Sequence, residues 1–271
     1  VRARLAEQAP GTVVSIPCPG DVVTLSKPFA PDRFADWPAQ EQRGFLDHLG
    51  VSIRLDEWRP ALDTAIRDRV PVLELSGRPP TAGDGALLVT ALADWRAVGG
   101  RVLSAHLADI LPDPERVAHF QATCRQFLDL GVDRVTQHVP RCSVAEYAAD
   151  PEHIVNQFAE ALNPLIRVGV AIGIENLHMK PHTPPDDRRP YGFTPDECRS
   201  FVEDLRRRTG YRGIGLHFDI GHAASNYPFT EPYPIEVWLT AGGRLINGVH
   251  LHQCGEPPSR ADDYPEGHFH I

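Results

Sequence analysis

Five side chains that bind metals well each close a short apolar run: His106 in VLSAH, His138 in RVTQH, Glu175 in AIGIE, Asp219 in GLHFD and His250 in INGVH. A helix-like stretch follows each run, and the spacings are 32, 37, 44 and 31 residues. A (β/α)8 barrel of ~250 residues gives roughly 30 residues to each strand–helix unit, and its strands open at their C-terminal ends into one mouth. Residues distant in sequence then meet around one point. With these residue types, the expected occupant of that point is a divalent cation.

The rest of the chain supports the alternation. FADWPAQEQRGFLDHLG reads as an amphipathic helix leading into the strand VSIRL. EWRPALDTAIRDR follows as a helix with Pro60 in its first turn, where a missing N–H costs little. VPVLELSG, ALLVTALADWRAVGG, RVLSAHLAD, PDPERVAHFQATCRQFLDLG, VDRVTQHVP and a helix from Asp150 to Gly169 continue the series. VAIGIENLH, TPDECRSFVEDLRRRTG, IGLHFDIGHA, IEVWLTAGGRL and INGVHLHQ complete it. Thr194 and Glu197 form a capping-box pattern with Pro195 at the first helical position. Apolar strands alternating with helices imply a parallel sheet covered by helices. The expected fold is α/β, a TIM (β/α)8-type barrel in one domain spanning 1–271, with 1–45 an N-terminal extension or permuted strand–helix unit.

Counting from VSIRL gives seven strands, so the eighth needs an origin. Either it is missing at the C-terminus, or TVVSIP in the N-terminal segment takes its place. The second arrangement would bring Cys18 or Asp21 to the mouth.

A length of 271 residues suits one large barrel, and 42% hydrophobic with 23% charged residues is ordinary for a globular chain. No run of about 18 apolar residues occurs, so no membrane span is expected. VRARLAEQAP lacks the apolar core of a secretory signal. The five cysteines are scattered without a CxxC pair, a pattern of reduced cytoplasmic thiols. A net charge of −9 argues against nucleic acid as a partner.

Strand six is the richest segment. Asp219 at its end and His222 in the following turn put a carboxylate and an imidazole beside one cavity. His217 shares the parity of Asp219 and should face the interior. Before Glu175, the small residues Ala171 and Gly173 leave room near the barrel axis. His250 and His252 share a face with Gly248. Mixed carboxylate and imidazole ligands suit Mn2+, Zn2+, Co2+ or Fe2+ better than Mg2+.

IENLH, FDIGHA and GVHLHQ resemble the xylose isomerase-like barrel superfamily, which takes in sugar epimerases and isomerases and the endonuclease IV group. The likeness runs over roughly Val51 to Ile271, and the D-x-G-H-A turn carries most of it. The resemblance implies Glu175, Asp219 and His250 as metal ligands, with a further Glu from strand eight that has no assigned counterpart here. It implies Glu175 and the unassigned strand-eight Glu as catalytic bases and His222 as a substrate contact or a third zinc ligand. His106 and His138 match positions that hold another zinc in the nucleases. Where the nucleases carry D-x-H after strand seven, this chain has Asp262, Asp263 and Tyr264, so a full trinuclear site is not matched. Family members often form dimers or tetramers, so a homo-oligomer is in view.

His106, His138, Trp58 and His252 stand as candidates for substrate contact. Trp58 either stacks on a sugar ring or packs the first helix, and His217 and His252 either ligate or support the ligands. Glu74 orients substrate or pairs with Arg78. The long segment PHTPPDDRRPYGF has the length of a lid. The expected activity is a metal-dependent isomerase or epimerase on a sugar, cyclitol or related polyhydroxy carbonyl compound, working through a stabilised enediolate. A dehydratase, an endonuclease IV-like zinc phosphodiesterase and a non-catalytic binding barrel are the alternatives.

Overall fold

Strands form where β-branched and leucine residues alternate with small or polar ones, and each strand of the main sheet before the last is followed by a connection long enough to cross back. The structure, a computed structural model, describes residues 37–80, 82–111, 113–178, 186–226, 231–253 and 269–270. TVVSIP, Cys18, Asp21 and the Asp262–Tyr264 stretch lie outside the described residues, as do most of residues 1–45.

The elements in order are α1 (Ala39–Leu46), β1 (Gly50–Arg54), α2 (Trp58–Arg67), β2 (Val72–Ser76), α3 (Ala82–Ala97), β3 (Val102–His106), α4 (Pro114–Asp129) and β4 (Arg134–His138). Then come α5 (Val144–Ala149), α6 (Pro151–Val168), β5 (Ala171–Glu175), α7 (Pro195–Thr209), β6 (Ile214–Asp219), α8 (Ile220–Ser225), α9 (Ile235–Gly242) and β7 (Ile246–His250). A two-residue pair, β8 (His252–Gln253) and β9 (Phe269–His270), is antiparallel. Strands β1 to β7 are hydrogen-bonded in chain order into one sheet. The fold is the expected TIM-like α/β arrangement with seven of eight strands described.

The described residues group into two compact units by their internal contacts. One runs through Gln137 and takes in Ala161–Ile172; the other takes in His138–Glu160 and the described chain from Gly173 onward.

In the first unit, β1, β2 and β3 pair in parallel without a register shift. Leu73 and Leu75 of β2 are fully buried, each burial contributing about 1.5–3 kcal/mol. Glu74, of opposite parity, points to the other face and accepts from Thr136 Oγ1 at 2.9 Å and Ser104 Oγ at 3.4 Å. Two hydroxyls thus donate to the carboxylate read from sequence as a partner of Arg78 or of substrate.

The second unit holds the site. Its β6 is buried along its whole length. Leu216 and Phe218 face the helices, where Phe218 stacks on Trp238 of α9 at 5.3 Å and 17°. Gly215, His217 and Asp219 therefore face the opposite way, as the strand period of two requires. The helix α7 starts with the capping box read from sequence, Thr194 with Glu197, and Pro195 at its first position. Gly210 ends it in the left-handed region at φ 69°, where a side chain would be strained.

Glu197 does more than cap. Its Oε2 also accepts the backbone N–H of Gly192 at 3.0 Å and of Phe193 at 3.1 Å, and Arg189 pairs with the same carboxylate. Tyr191 is buried, stacks on Tyr147 at 3.9 Å, and donates its hydroxyl to the carbonyl of Glu197 at 2.9 Å. The described part of the expected lid, residues 186–193, is thus a wall fastened to α7 and to the start of α5. A half-buried carboxylate that accepts from Gly192, Phe193, Thr194 and Arg189, and a stacked phenol pair, hold it.

Candidate metal centre

Glu175 ends β5 and is fully buried. A carboxylate in that position is costly unless its oxygens are engaged, and both are. Oε1 lies 2.6 Å from His250 Nδ1, and Oε2 lies 3.1 Å from His138 Nε2. His250 ends β7 opposite Asp219 in the β6–β7 register, which places its Nδ1 3.5 Å from Asp219 Oδ2 as well. Asp219, 1% exposed, is the N-cap of α8: its Oδ1 accepts the backbone N–H of His222 at 2.7 Å. His222 Nδ1 stands 3.7 Å from Asp219 Oδ2.

Ring partners settle which imidazole nitrogens carry protons. His222 Nδ1 is 2.7 Å from the carbonyl oxygen of Asn176. A carbonyl only accepts, so the proton sits on Nδ1 and Nε2 keeps its lone pair. For His138 the order is reversed. Its Nδ1 faces the guanidinium of Arg141 at 3.4 Å, a group that only donates, so Nε2–H points at Glu175. His138 steadies the carboxylate as a donor in this arrangement.

Asn176 is the residue whose role the sequence concealed. Fully buried, it donates from Nδ2 to the carbonyl of Asp219 at 3.0 Å and accepts the N–H of Asp219 on Oδ1 at 2.8 Å. Together with its own carbonyl on His222, one residue fixes two members of the cluster. Only its place directly after Glu175 hinted at this. His178, also unassigned from sequence, stacks on His222 at 5.1 Å between ring centres.

His217 faces the interior as its parity required. Its ring meets that of His250 edge-on at 4.1 Å. Glu175, His217 and His250 offer donor atoms within 4.8 Å of one another, and so do Glu175, Asp219 and His222. The second unit therefore gathers Glu175, Asp219, His250, His222 and His138 from the ends of four strands and from α8.

Two other sequence candidates, His106 and Trp58, belong to the first unit. His106 closes β3 in the first unit, half-buried, with Nδ1 3.2 Å from the carbonyl of Leu107. Trp58 is buried at the start of α2 with the Arg59 guanidinium 4.8 Å over its ring. It borders a cleft of about 860 Å3 at the ends of β1 and β2, shared with Arg54, Asp56, Ser76 and Arg78. His252 lies in β8, and its side chain is outside what is described.

No family model matches the chain. Among curated proteins, β-hexosaminidase of Stenotrophomonas maltophilia (strain K279a) is 28% identical over 166 residues, covering 57% of this chain and 45% of that protein. The chain thus spans under half the length of the curated relative it matches. Solved structures align over more of it. A xylose isomerase domain protein from Planctomyces limnophilus superposes with a TM-score of 0.56 at 17% identity, over 76% of this chain and 74% of that one. The chain has the xylose isomerase-like fold. Endonuclease IV from Thermus thermophilus shares it with a TM-score of 0.56 at 15% identity, over 82% and 81% of the two chains. An L-ribulose 3-epimerase shares it at 0.52 and 19%, over 77% and 73%. Most such neighbours are enzymes, and at these identities the likeness establishes the fold and not the reaction.

Proposed function

We propose that this xylose isomerase-like chain is a divalent-metal-dependent isomerase or epimerase acting on a sugar, cyclitol or related polyhydroxy carbonyl compound. One observation carries the reading: Glu175, fully buried, meets His250 on one oxygen and His138 on the other, and Asp219 meets the same His250. Two buried carboxylates within reach of one imidazole fit a dication, whose charge balances theirs.

The donor spacing suits a metal. Two ligands at ~2.0–2.1 Å from a tetrahedral zinc stand roughly 3.3 Å apart. The contacts of His250 with Glu175 and Asp219 are 2.6 and 3.5 Å, so small side-chain shifts bring them into range. Glu175, Asp219 and His250 would hold the cation, with Zn2+, Mn2+ or Co2+ suited to the mixed set and Mg2+ less so. When bound, the cation supplies Lewis-acid stabilisation of negative charge on a substrate oxygen.

The chain's own groups do the rest. Glu175 is the base that takes a proton from the carbon beside the carbonyl. His138, donating to Oε2, aims that carboxylate and offsets the charge it gains or loses. His222, with Nδ1 fixed on Asn176, keeps its Nε2 lone pair for a substrate hydroxyl or the cation. The row of His138, His222 and His178, with ring centres 6.3 and 5.1 Å apart, forms a polar wall suited to a polyhydroxy ligand and not to an apolar one. The likeness to an epimerase and to a xylose isomerase domain protein agrees with this chemistry. Free thiols at Cys124, Cys142 and Cys198 accord with a cytoplasmic setting.

The test is deuterium incorporation. Protein loaded with Mn2+, Co2+ or Zn2+ is incubated in D2O with a panel of ketoses, aldoses and inososes. Exchange at the carbon next to the carbonyl, abolished by Glu175→Gln, is the expected result. A metal-loaded protein that exchanges no proton on any of them but nicks abasic DNA would replace this reading with the phosphodiesterase one.

A further inference from the structure

Resting on that reading, we propose that His217 is itself a ligand of the cation, closing its coordination from inside the barrel. The resemblance places a strand-eight carboxylate in the fourth position, and no strand-eight carboxylate is assigned among the described residues. His217 lies two residues before Asp219 on the same face of β6, about 6.6 Å deeper along the strand.

Three observations converge on it. His217 is buried at 7% exposure, on the same face of its strand as Asp219. Its donor atom falls within 4.8 Å of those of Glu175 and His250, so it reaches the two ligands that already face each other. Its ring also has a place made for it. Gly173, two residues before Glu175 on β5, has no side chain where a Cβ would stand 2.8 Å from His217 Cβ and 3.1 Å from His217 Nδ1. Any larger residue at 173 would drive the imidazole away from its present position. A glycine within a buried strand weakens it, and close approach by another group is a usual reason for one. Glu175, Asp219, His250 and His217 then make a four-donor set of two carboxylates and two imidazoles. Such a set favours zinc and cobalt over magnesium more strongly than three donors with one imidazole would.

The test titrates metal-free protein with Co2+ and reads affinity together with the visible ligand-field spectrum, neither of which depends on turnover. His217→Ala should weaken Co2+ binding more than 100-fold, beyond the 10–100-fold typical of outer-shell partners, and should change band positions and intensity. His217→Gln should behave the same way with polarity retained, and far-UV circular dichroism checks that both variants fold. Gly173→Ala should reproduce part of the loss with His217 still present. Combined with His217→Ala, it should add little, because both substitutions remove one contact. An unchanged spectrum in folded His217→Ala, whatever its affinity, would overturn ligation by His217 while leaving the metal site intact. Wild-type protein that binds no Co2+ would instead overturn the metal reading on which the proposal stands.

Discussion

Replacing Asn176 by alanine tests the geometry of the site without touching any proposed ligand. The carboxamide makes two hydrogen bonds to the backbone of Asp219, at 2.8 and 3.0 Å, and all the groups involved are buried. Alanine leaves one N–H and one C=O of Asp219 without those partners. A buried polar group stripped of its partner costs about 1–3 kcal/mol, so the pair should cost about 2–6 kcal/mol. For a domain of this size, 1 kcal/mol moves Tm by roughly 2–4 °C, which puts the expected fall near ~4 °C at the least. Urea unfolding gives the free energy directly, with the slope m unchanged if only the native state is affected. Asn226→Ala provides a comparison, since that buried side chain also donates to a backbone carbonyl, from Nδ2 to Leu177 at 3.1 Å. The same Asn176 variant should bind Co2+ some tenfold more weakly, as expected when an orienting partner of a ligand is removed. A loss below about 1 kcal/mol would refute the clamp.

Asp219→Asn keeps an oxygen to cap His222 but removes the charge, so metal content should fall to background while urea stability drops by less than about 1 kcal/mol; elemental analysis with unfolding curves checks both. Gly192→Ala should destabilise by about 1–3 kcal/mol or more, because φ is +89° there and the added Cβ would strike Val139; thermal unfolding reads it. Burial pushes the Tyr147 phenol up to about 12. A tyrosine whose folded value exceeds its unfolded value of about 10 stabilises fully below pH 10 and loses that contribution as pH rises through about 12. Tyr147→Phe should therefore flatten the fall in stability between those limits, as followed by tyrosinate absorbance and circular dichroism. Burial likewise raises the Cys124 thiol to about 12 and the Cys142 thiol to about 11, so both should resist alkylation at pH 8 until the protein is unfolded.

The sequence showed the barrel because strand periodicity and spacing are local properties, written wherever an apolar run ends in a polar residue. Glu175, Asp219 and His250 could be read the same way, since a strand end in this fold has only one place to go. Parity alone turned His217 inward, and the small side chain of Gly173 hinted at room near the axis. What escaped were long-range side-chain bonds. Asn176 reaches a backbone 43 residues away, and nothing in IENLH says which partner it takes. Length alone suggested a lid over residues 181–193. The outcome for 186–193 depended on Glu197, whose capping pattern was visible but whose further acceptance from Gly192, Phe193 and Arg189 was not.

That difference bears on how the site works. Glu175 and Asn176 sit side by side at the end of β5, and one engages His250 and His138 while the other holds Asp219 and His222. A small shift of this strand end therefore displaces every member of the cluster at once. The fastened 186–193 segment limits such a shift, because Leu177 donates its N–H to the carbonyl of Gly192 at 3.1 Å, next to the groups that Glu197 anchors. Glu197→Gln keeps the shape and the cap but weakens the pairing with Arg189. If the wall steadies the site, this variant should lose metal affinity severalfold although residue 197 is no part of the donor set. An affinity equal to that of the wild type, in a variant whose segment has become open to proteolysis, would show that the strand end holds its geometry without the wall.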